Sequence, residues 1–239
     1  MIRKILSGRG IVALASVLAI SVVFSACKKD NDIPQVPSAG LMAFNLVPDQ
    51  PGVGVALSGN LLPGGPLPYT SFTGRYYNVY TGSRVIESFN AASNQILDSL
   101  QYTFEQNKLY SLFVVGANGD YQNIVALDNV DSLTTSSGKA YVRYVNAIPG
   151  SNGSSVTMNA AGSNVVNENA PFGKVSQFVA VAPGEVNVGI TNNGSVNKSR
   201  SITLQQQKAY TVLLTGLPNQ ADSTKAVQIR FIENGTVTD

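Results

Sequence analysis

The 239-residue chain contains no histidine, no tryptophan and a single cysteine. The missing imidazole excludes a Ser-His-Asp triad, a Cys-His pair and a histidine metal site. One cysteine excludes an intramolecular disulfide. Charge is sparse at 13% of residues, and the formal net charge is +2. Three of the positive charges, Arg3, Lys4 and Arg9, lie in residues 1–26; without that segment 13 basic side chains face 14 acidic ones. No basic patch remains to recruit nucleic acid. Neither a cofactor motif nor a metal-ligand set is present, so no cofactor and no metal are expected. Carboxylate-only or Ser-Lys chemistry survives these exclusions with nothing to support it. A carboxylate-dependent hydrolase would need two acids about 5–9.5 Å apart in one cleft.

The first thirty residues carry an address. Met1-Ile2-Arg3-Lys4 opens a basic segment, and residues 11–26 form an uncharged apolar run. That run is shorter than the ~20 residues of a spanning helix and ends in small residues, the form of a signal peptide. Phe24-Ser25-Ala26-Cys27 resembles the lipobox of bacterial lipoproteins, with Phe24 where Leu is commoner. The resemblance implies cleavage after Ala26, with Phe24, Ser25 and Ala26 read by the signal peptidase and Cys27 lipidated. The alternative is an uncleaved anchor with an incidental cysteine; either form is tethered to a membrane. Several acyl chains at ~0.8 kcal/mol per buried CH₂ give lasting attachment. Lys28, Lys29, Asp30, Asn31 and Asp32 resemble the export signal of surface-displayed Bacteroidetes lipoproteins, although a solvated linker is charged anyway. The expected location is the outer membrane, at the cell surface, with its periplasmic face as the alternative.

Beyond the tether, the chain repeats itself once with a shift close to one hundred residues. Phe44-Asn45-Leu46-Val47-Pro48 matches Val145-Asn146-Ala147-Ile148-Pro149, and Leu67-Pro68-Tyr69 matches Ala170-Pro171-Phe172. The segment from Asn107-Lys108-Leu109-Tyr110 to Gly116 matches that from Gln207-Lys208-Ala209-Tyr210 to Gly216. Residues 142–145, 186–190, 201–204 and 227–231 alternate with period two, the signature of strands. Residues 109–115 and 209–214 are continuous apolar runs, read as strands covered on both faces. Pro-Gly, Asn-Gly and Pro-Asn breakers separate about seven strand candidates per half. The best helix candidate is residues 90–97. The expected fold is all-β: two tandem immunoglobulin-like β-sandwich domains, each of a size suited to one sandwich. The divisions are a signal peptide at 1–26, a lipidated tether at 27–39, domain 1 at 40–131, a linker at 132–138 and domain 2 at 139–235. The linker is short, and the domains are expected to sit end to end.

The order of these blocks carries a resemblance. A first strand ending in Asn-x-x-Pro is followed by a Pro-aromatic element, a Pro-Gly hairpin and a closing strand of the form Lys-x-Tyr-Thr-Val-x-x-x-Gly. The pattern resembles the domain-of-unknown-function family 4397 of bacterial envelope lipoproteins, in two copies covering most of the chain after the tether. The second copy matches through Val145-Asn146-Ala147, Pro183-Gly184 and Tyr210-Thr211-Val212; in the first, Thr81-Gly82 replaces Pro-Gly. The resemblance implies a fold and no activity.

Four groups of residues invite a role. Tyr110 and Tyr210, at the starts of buried strands, read as sandwich corners whose hydroxyls bond to backbone. Tyr69, Tyr76, Tyr77 and Tyr80 form an aromatic cluster that would suit a ligand such as a glycan, although alternating aromatics are common on strands. Asp128-Asn129-Val130-Asp131 lacks the length and glycine of a calcium loop. Asp98-Ser99-Leu100, Asp131-Ser132-Leu133 and Asp222-Ser223-Thr224 resemble the O-glycosylation sites of Bacteroidetes exported proteins, at Ser99, Ser132 and Ser223; ordinary turn chemistry is the other reading. The expected function is that of a non-enzymatic cell-envelope lipoprotein that binds or scaffolds through its two sandwiches, with a glycan or an envelope protein as partner. The alternative is a surface glycan-binding accessory lipoprotein of a nutrient-uptake system.

Overall fold

The computed structural model describes residues 36–134, 138–192 and 194–237. The lipobox residues 24–27, the export-signal residues 28–32 and Asn193 lie outside the described residues. The chain is all-β and folds into sandwich-like halves, with no α-helix among the described residues. None of the described residues forms a helix long and apolar enough to cross a membrane.

Sandwich 1 runs through β1 (Ser38–Asn45), β2 (Gly52–Leu57), β3 (Asn60–Leu61), β4 (Leu67–Pro68), β5 (Tyr77–Tyr80), β6 (Gly82–Asn90), β7 (Ile96–Phe104), β8 (Leu109–Ala117) and β9 (Asp120–Leu127). Sandwich 2 comprises β10 (Ala140–Asn146), β11 (Ser155–Ala160), β12 (Ser163–Asn169), β13 (Val179–Val181), β14 (Gly184–Thr191), β15 (Asn197–Leu204), β16 (Lys208–Thr215) and β17 (Gln228–Thr236). The first half forms sheets of order β5-β1-β8-β9 and β3-β2-β6-β7; the second forms β13-β10-β16-β17 and β12-β11-β14-β15. Apart from β4, which pairs with β2 and has no counterpart strand in the second half, the two topologies correspond strand for strand, including a parallel first pair, β1 with β8 and β10 with β16.

The repeated motifs are corner devices. Asn45 is fully buried; its amide donates to Leu67 O at 2.9 Å and its Oδ1 accepts from Val47 N at 3.0 Å. Asn146 repeats this with Ala170 O (2.6 Å) and Ile148 N (3.1 Å). Each asparagine thereby ties the end of a first strand to the Pro-aromatic element, satisfying main-chain groups that a corner leaves without a ladder partner. Tyr110 and Tyr210 form corners of the expected kind: each hydroxyl accepts from a backbone N–H five residues upstream, Glu105 and Gln205, at 3.1 Å.

Two expectations are corrected. Residues 90–97 hold the end of β6, a turn at 91–95 and the start of β7 instead of a helix. The Asn90 side chain accepts from Ala92 N and Ser93 N at 2.8 and 2.9 Å, a local bond that competes with helix formation. The sandwiches also do not meet end to end. They lie face to face through the sheets that contain β1/β8 and β10/β16. Along β1, Ala39, Leu41 and Ala43 point into the core of sandwich 1, whereas Met42, Phe44 and Leu46 join a second cluster with Phe113, Val115, Val145, Ala147 and Leu213. Residues 37–239 are one compact unit. The stack therefore has four sheet layers, and its two middle sheets are buried on both faces.

Candidate functional site: the seam between the sandwiches

The seam is apolar at its centre and carries a buried charge pair beside it. On β10, even-numbered Val142 and Tyr144 fill the core of sandwich 2, so odd-numbered Arg143 must face the seam. Its side chain is 2% exposed, and Nη1 lies 2.6 Å from Oδ1 of the fully buried Asp128. Nη2 donates to Ser111 Oγ at 2.9 Å and Nε to Thr211 Oγ1 at 3.0 Å. Ser111 and Tyr76 in turn donate to Asp128 Oδ2 at 2.6 and 2.7 Å. The guanidinium also sits 4.6 Å from the Phe178 ring centroid. Burial and the adjacent Asp128 carboxylate push the Tyr76 phenol far above its ordinary value, so it remains a donor.

A local two-fold relates the halves of the seam. Arg230 on β17 donates to Thr70 Oγ1 at 2.6 Å. The counterpart of Thr70 in the second repeat is Gly173, where an added Cβ would lie 3.3 Å from Ile124, the β9 counterpart of Arg230. Ser111 with Asp128 is mirrored by Thr211, which donates to Asn234 Oδ1 at 2.6 Å. Met42 occupies on β1 the place that Arg143 occupies on β10. Besides the Arg230–Thr70 bond, the charge pair is thus a departure from symmetry: Arg143 stands against Met42, and Asp128 against Asn234. Residues 40–131 carry seven acidic and three basic side chains, and residues 139–235 four acidic and eight basic, so the halves that meet are also of opposite net charge.

This placement redefines the aromatic cluster. Tyr76 is spent on Asp128, the Tyr69 hydroxyl lies 3.3 Å from Thr215 Oγ1 across the seam, and Tyr77 packs on the core of sandwich 1 beneath Arg75. Burial raises the Tyr69 phenol above its ordinary value. Tyr80 alone of the four is largely exposed, at 59%. The structure brings Tyr69 and Tyr76 to the seam and forms no shared surface platform from the four rings. Of the serines, Ser99 is exposed within strand β7, Ser132 in the turn Val130–Ser132, and Ser223 in a turn where Asp222 accepts from Thr224 N at 2.9 Å.

Two clefts open beside the seam. One, of about 490 Å³, is lined by residues 124–127 and Asn129 of sandwich 1, by Gly173, Val175, Ser176 and Gln177 of sandwich 2, and by Arg143. The other, of about 430 Å³, lies on sandwich 2 and includes Val166, Glu168, Lys174 and Val179. Both fall within the ~300–1,000 Å³ of small-ligand sites. The first has no carboxylate in its lining and the second has one, Glu168. Lys174, 2.9 Å away, and the Tyr144 hydroxyl at 2.7 Å hold Glu168 below the usual carboxylate range, which disfavours it as a proton donor. Among the described residues no three His, Cys, Asp or Glu side chains converge to hold a metal.

The sequence showed Arg143 only as a strand residue and Asp128 only as part of an incomplete calcium run; it did not show that the two pair inside the seam. The available signal was the repeat itself: an arginine aligned with Met42, inside a strand whose neighbours are apolar.

The family model described as a domain of unknown function, DUF4397, matches residues 39–152 and again residues 140–236. The chain belongs to the DUF4397 family. Each match spans one sandwich, and the first continues through β10. No curated protein matches this DUF4397 chain. Among solved structures, the C-terminal domain of AlgF from P. aeruginosa is 21% identical over 40% of this chain and 98% of its own, with a TM-score of 0.28. A family 26 carbohydrate-binding module of Amy13K from Eubacterium rectale, solved with maltoheptaose, is 9% identical over 81% of this chain and 96% of its own, at 0.25. A protein from Bacteroides uniformis assigned to cell adhesion is 7% identical over 84% and 99%, also at 0.25. Likenesses at these scores carry no argument about this DUF4397 protein.

Proposed function

We propose that this DUF4397 protein is a non-enzymatic cell-envelope lipoprotein, lipidated on Cys27, whose paired sandwiches form one rigid body for binding or scaffolding. The observation that carries the reading is the use made of the polar side chains. Arg143, Asp128, Ser111, Thr211 and Tyr76 are tied to one another inside the seam. Apart from Arg143, which those bonds hold, the cleft beside them is lined by aliphatic side chains, amides, a glycine and one serine, groups suited to recognition and poorly suited to acid–base or nucleophilic chemistry. Glycan capture through the tyrosine cluster would run through Tyr80 alone.

Metabolic labelling with palmitate tests the anchor: the wild-type chain incorporates label and Cys27→Ser loses it. Label retained by Cys27→Ser overturns the lipoprotein reading. Protease treatment of intact cells tests the surface location. Digestion before lysis supports surface display through the residues 28–32; protection until lysis places the body in the periplasm.

A further inference from the structure

β9 is an edge strand, bonded to β8 alone within its sheet. Asp128 N donates to Leu109 O at 2.8 Å, which fixes the alternation along the β8–β9 ladder. Ile124, Ala126 and Asp128 turn their main-chain groups to β8; Asn123, Val125 and Leu127 turn theirs outwards. Asn123 is closed off by β7: its N–H donates to Asp98 Oδ2 at 2.6 Å and its amide to Asp98 O at 3.1 Å. Val125 and Leu127 have no such partner among the described residues.

Natural edges are blunted by charge, proline, bulges or cover. β17, the counterpart of β9, has several of these devices. It carries Arg230 and Glu233, has a register shift opposite Ala209 and Tyr210, and has Ile229 O occupied by the Arg200 guanidinium at 2.7 Å. The open half of β9 reads Ile124-Val125-Ala126-Leu127, with neither charge nor proline nor bulge.

A shelf lies beside this open half. Gly173, Val175, Ser176 and Gln177 of sandwich 2 form the other wall of the 490 Å³ cleft. Asn146 N donates to Lys174 O and Ser176 N to Tyr144 O, both at 2.9 Å, so Val175 turns its own main-chain groups away from β10. Arg143 is the one charged lining side chain, and Asp128, Ser111 and Thr211 already hold it; nothing in the cleft selects a charged ligand.

We propose that the cleft receives an extended, uncharged peptide segment of a partner protein, paired as an added strand with Val125 and Leu127 and resting alternate side chains on the shelf. Main-chain pairing supplies affinity in such augmentation and the pockets for alternate side chains supply selectivity. A single strand suits the place better than a second copy does. Two copies joined β9 to β9 would bring both second sandwiches to the same side of the joined sheet, shelf against shelf. The proposal deepens the binding role above and rests on it.

The test uses the full chain in detergent and a phage-displayed library of uncharged heptapeptides. In the free chain, the Val125 and Leu127 amides should exchange about a hundredfold faster than those of Ile124 and Ala126. A selected peptide should slow both amides at least about tenfold and should lose binding to Val125→Pro, a substitution that an outward-facing edge N–H tolerates. Leu127→Lys, which leaves the main chain intact, replaces Val125→Pro if the proline lowers the melting temperature. Val125 and Leu127 amides already slow in the dilute free chain overturn the proposal, because the chain covers its own edge. Protection that grows with protein concentration overturns it in favour of a second copy. Failure to select any peptide also overturns it. Peptides that bind both variants unchanged and leave the two amides fast overturn it while leaving a binding role elsewhere on the body intact.

Discussion

Replacing Arg143 by Met isolates the energetics of the seam, because Met is the residue that the first repeat carries at the same place. The substitution leaves Asp128 fully buried with its two neutral donors, Ser111 and Tyr76, and without its counter-ion. Removing one partner of a buried pair costs about 3–5 kcal/mol, chiefly through the uncompensated charge. For a body of about two hundred residues each kcal/mol shifts the melting temperature by ~2–4 °C, so Arg143→Met should melt about 6–20 °C below wild type. Adding Asp128→Asn, the residue of the second repeat, removes the stranded charge and keeps an acceptor for Ser111 and Tyr76. The double variant should therefore recover most of the loss, since neutral replacements of buried pairs are often neutral or stabilising. Differential scanning calorimetry of the three proteins reads the effect directly. A loss below about 1 kcal/mol for Arg143→Met, the range of exposed pairs, would refute the argument, because it would mean that water reaches Asp128 and that the seam is open.

Tyr110→Phe and Tyr210→Phe each remove the acceptor of a corner N–H, so urea denaturation should show losses of about 1 kcal/mol that are similar in the two repeats. Gly116 has φ +113°, and an added Cβ would lie 2.1 Å from Asp120 O; Gly216 repeats this at φ +105° and 2.2 Å from Ala226 O. Alanine at either should cost more than the ~1–3 kcal/mol of a strained backbone alone, measurable as a lowered urea midpoint. The phenols of Tyr76 and Tyr144 are raised by burial and by the neighbouring Asp128 and Glu168 carboxylates. The unfolded chain then releases protons above about pH 10 that the folded chain retains, so stability falls as pH rises past that value. Phenolate absorbance should show these two tyrosines titrating only on unfolding. The depressed Glu168 carboxyl acts in the opposite direction: its small contribution is present above the unfolded carboxylate value of ~4.3 and is lost as pH falls through the lower folded value. Because Glu168 is 41% exposed, salt should weaken that contribution.

The strands were legible because burial on one face writes itself as alternation. Residues 186–190 fall within β14, and Val186, Val188 and Ile190 are its core positions. The runs 109–115 and 209–214 were also legible as strands covered on both faces. What covers the second face was not, because an apolar residue packed on its own domain and one packed on the neighbouring repeat look the same in sequence. For that reason an end-to-end arrangement is the expectation, when Phe44 and Phe113 in fact cluster with Val145, Ala147 and Leu213 of the other repeat inside a shared seam. The same ambiguity hid the charge pair. Arg143 alternates with Val142 and Tyr144, the pattern of a solvent-facing position, and only its alignment with Met42 distinguishes it. The tyrosine cluster misled in the reverse sense. Tyr69 and Tyr76 use ring and hydroxyl together in the way that suits an amphipathic residue to a buried interface, and composition alone does not separate that use from an exposed platform.

The central claim is that the two repeats form one body held by a buried seam. Small-angle scattering from residues 37–239 tests it most directly. A compact chain of about two hundred residues has a radius of gyration of about 16–17 Å, and the face-to-face stack predicts a value in that range with a single-peaked distance distribution. A radius well above ~20 Å, with a second peak from two separated ~13 Å bodies, would contradict the seam and with it the cleft that the seam creates.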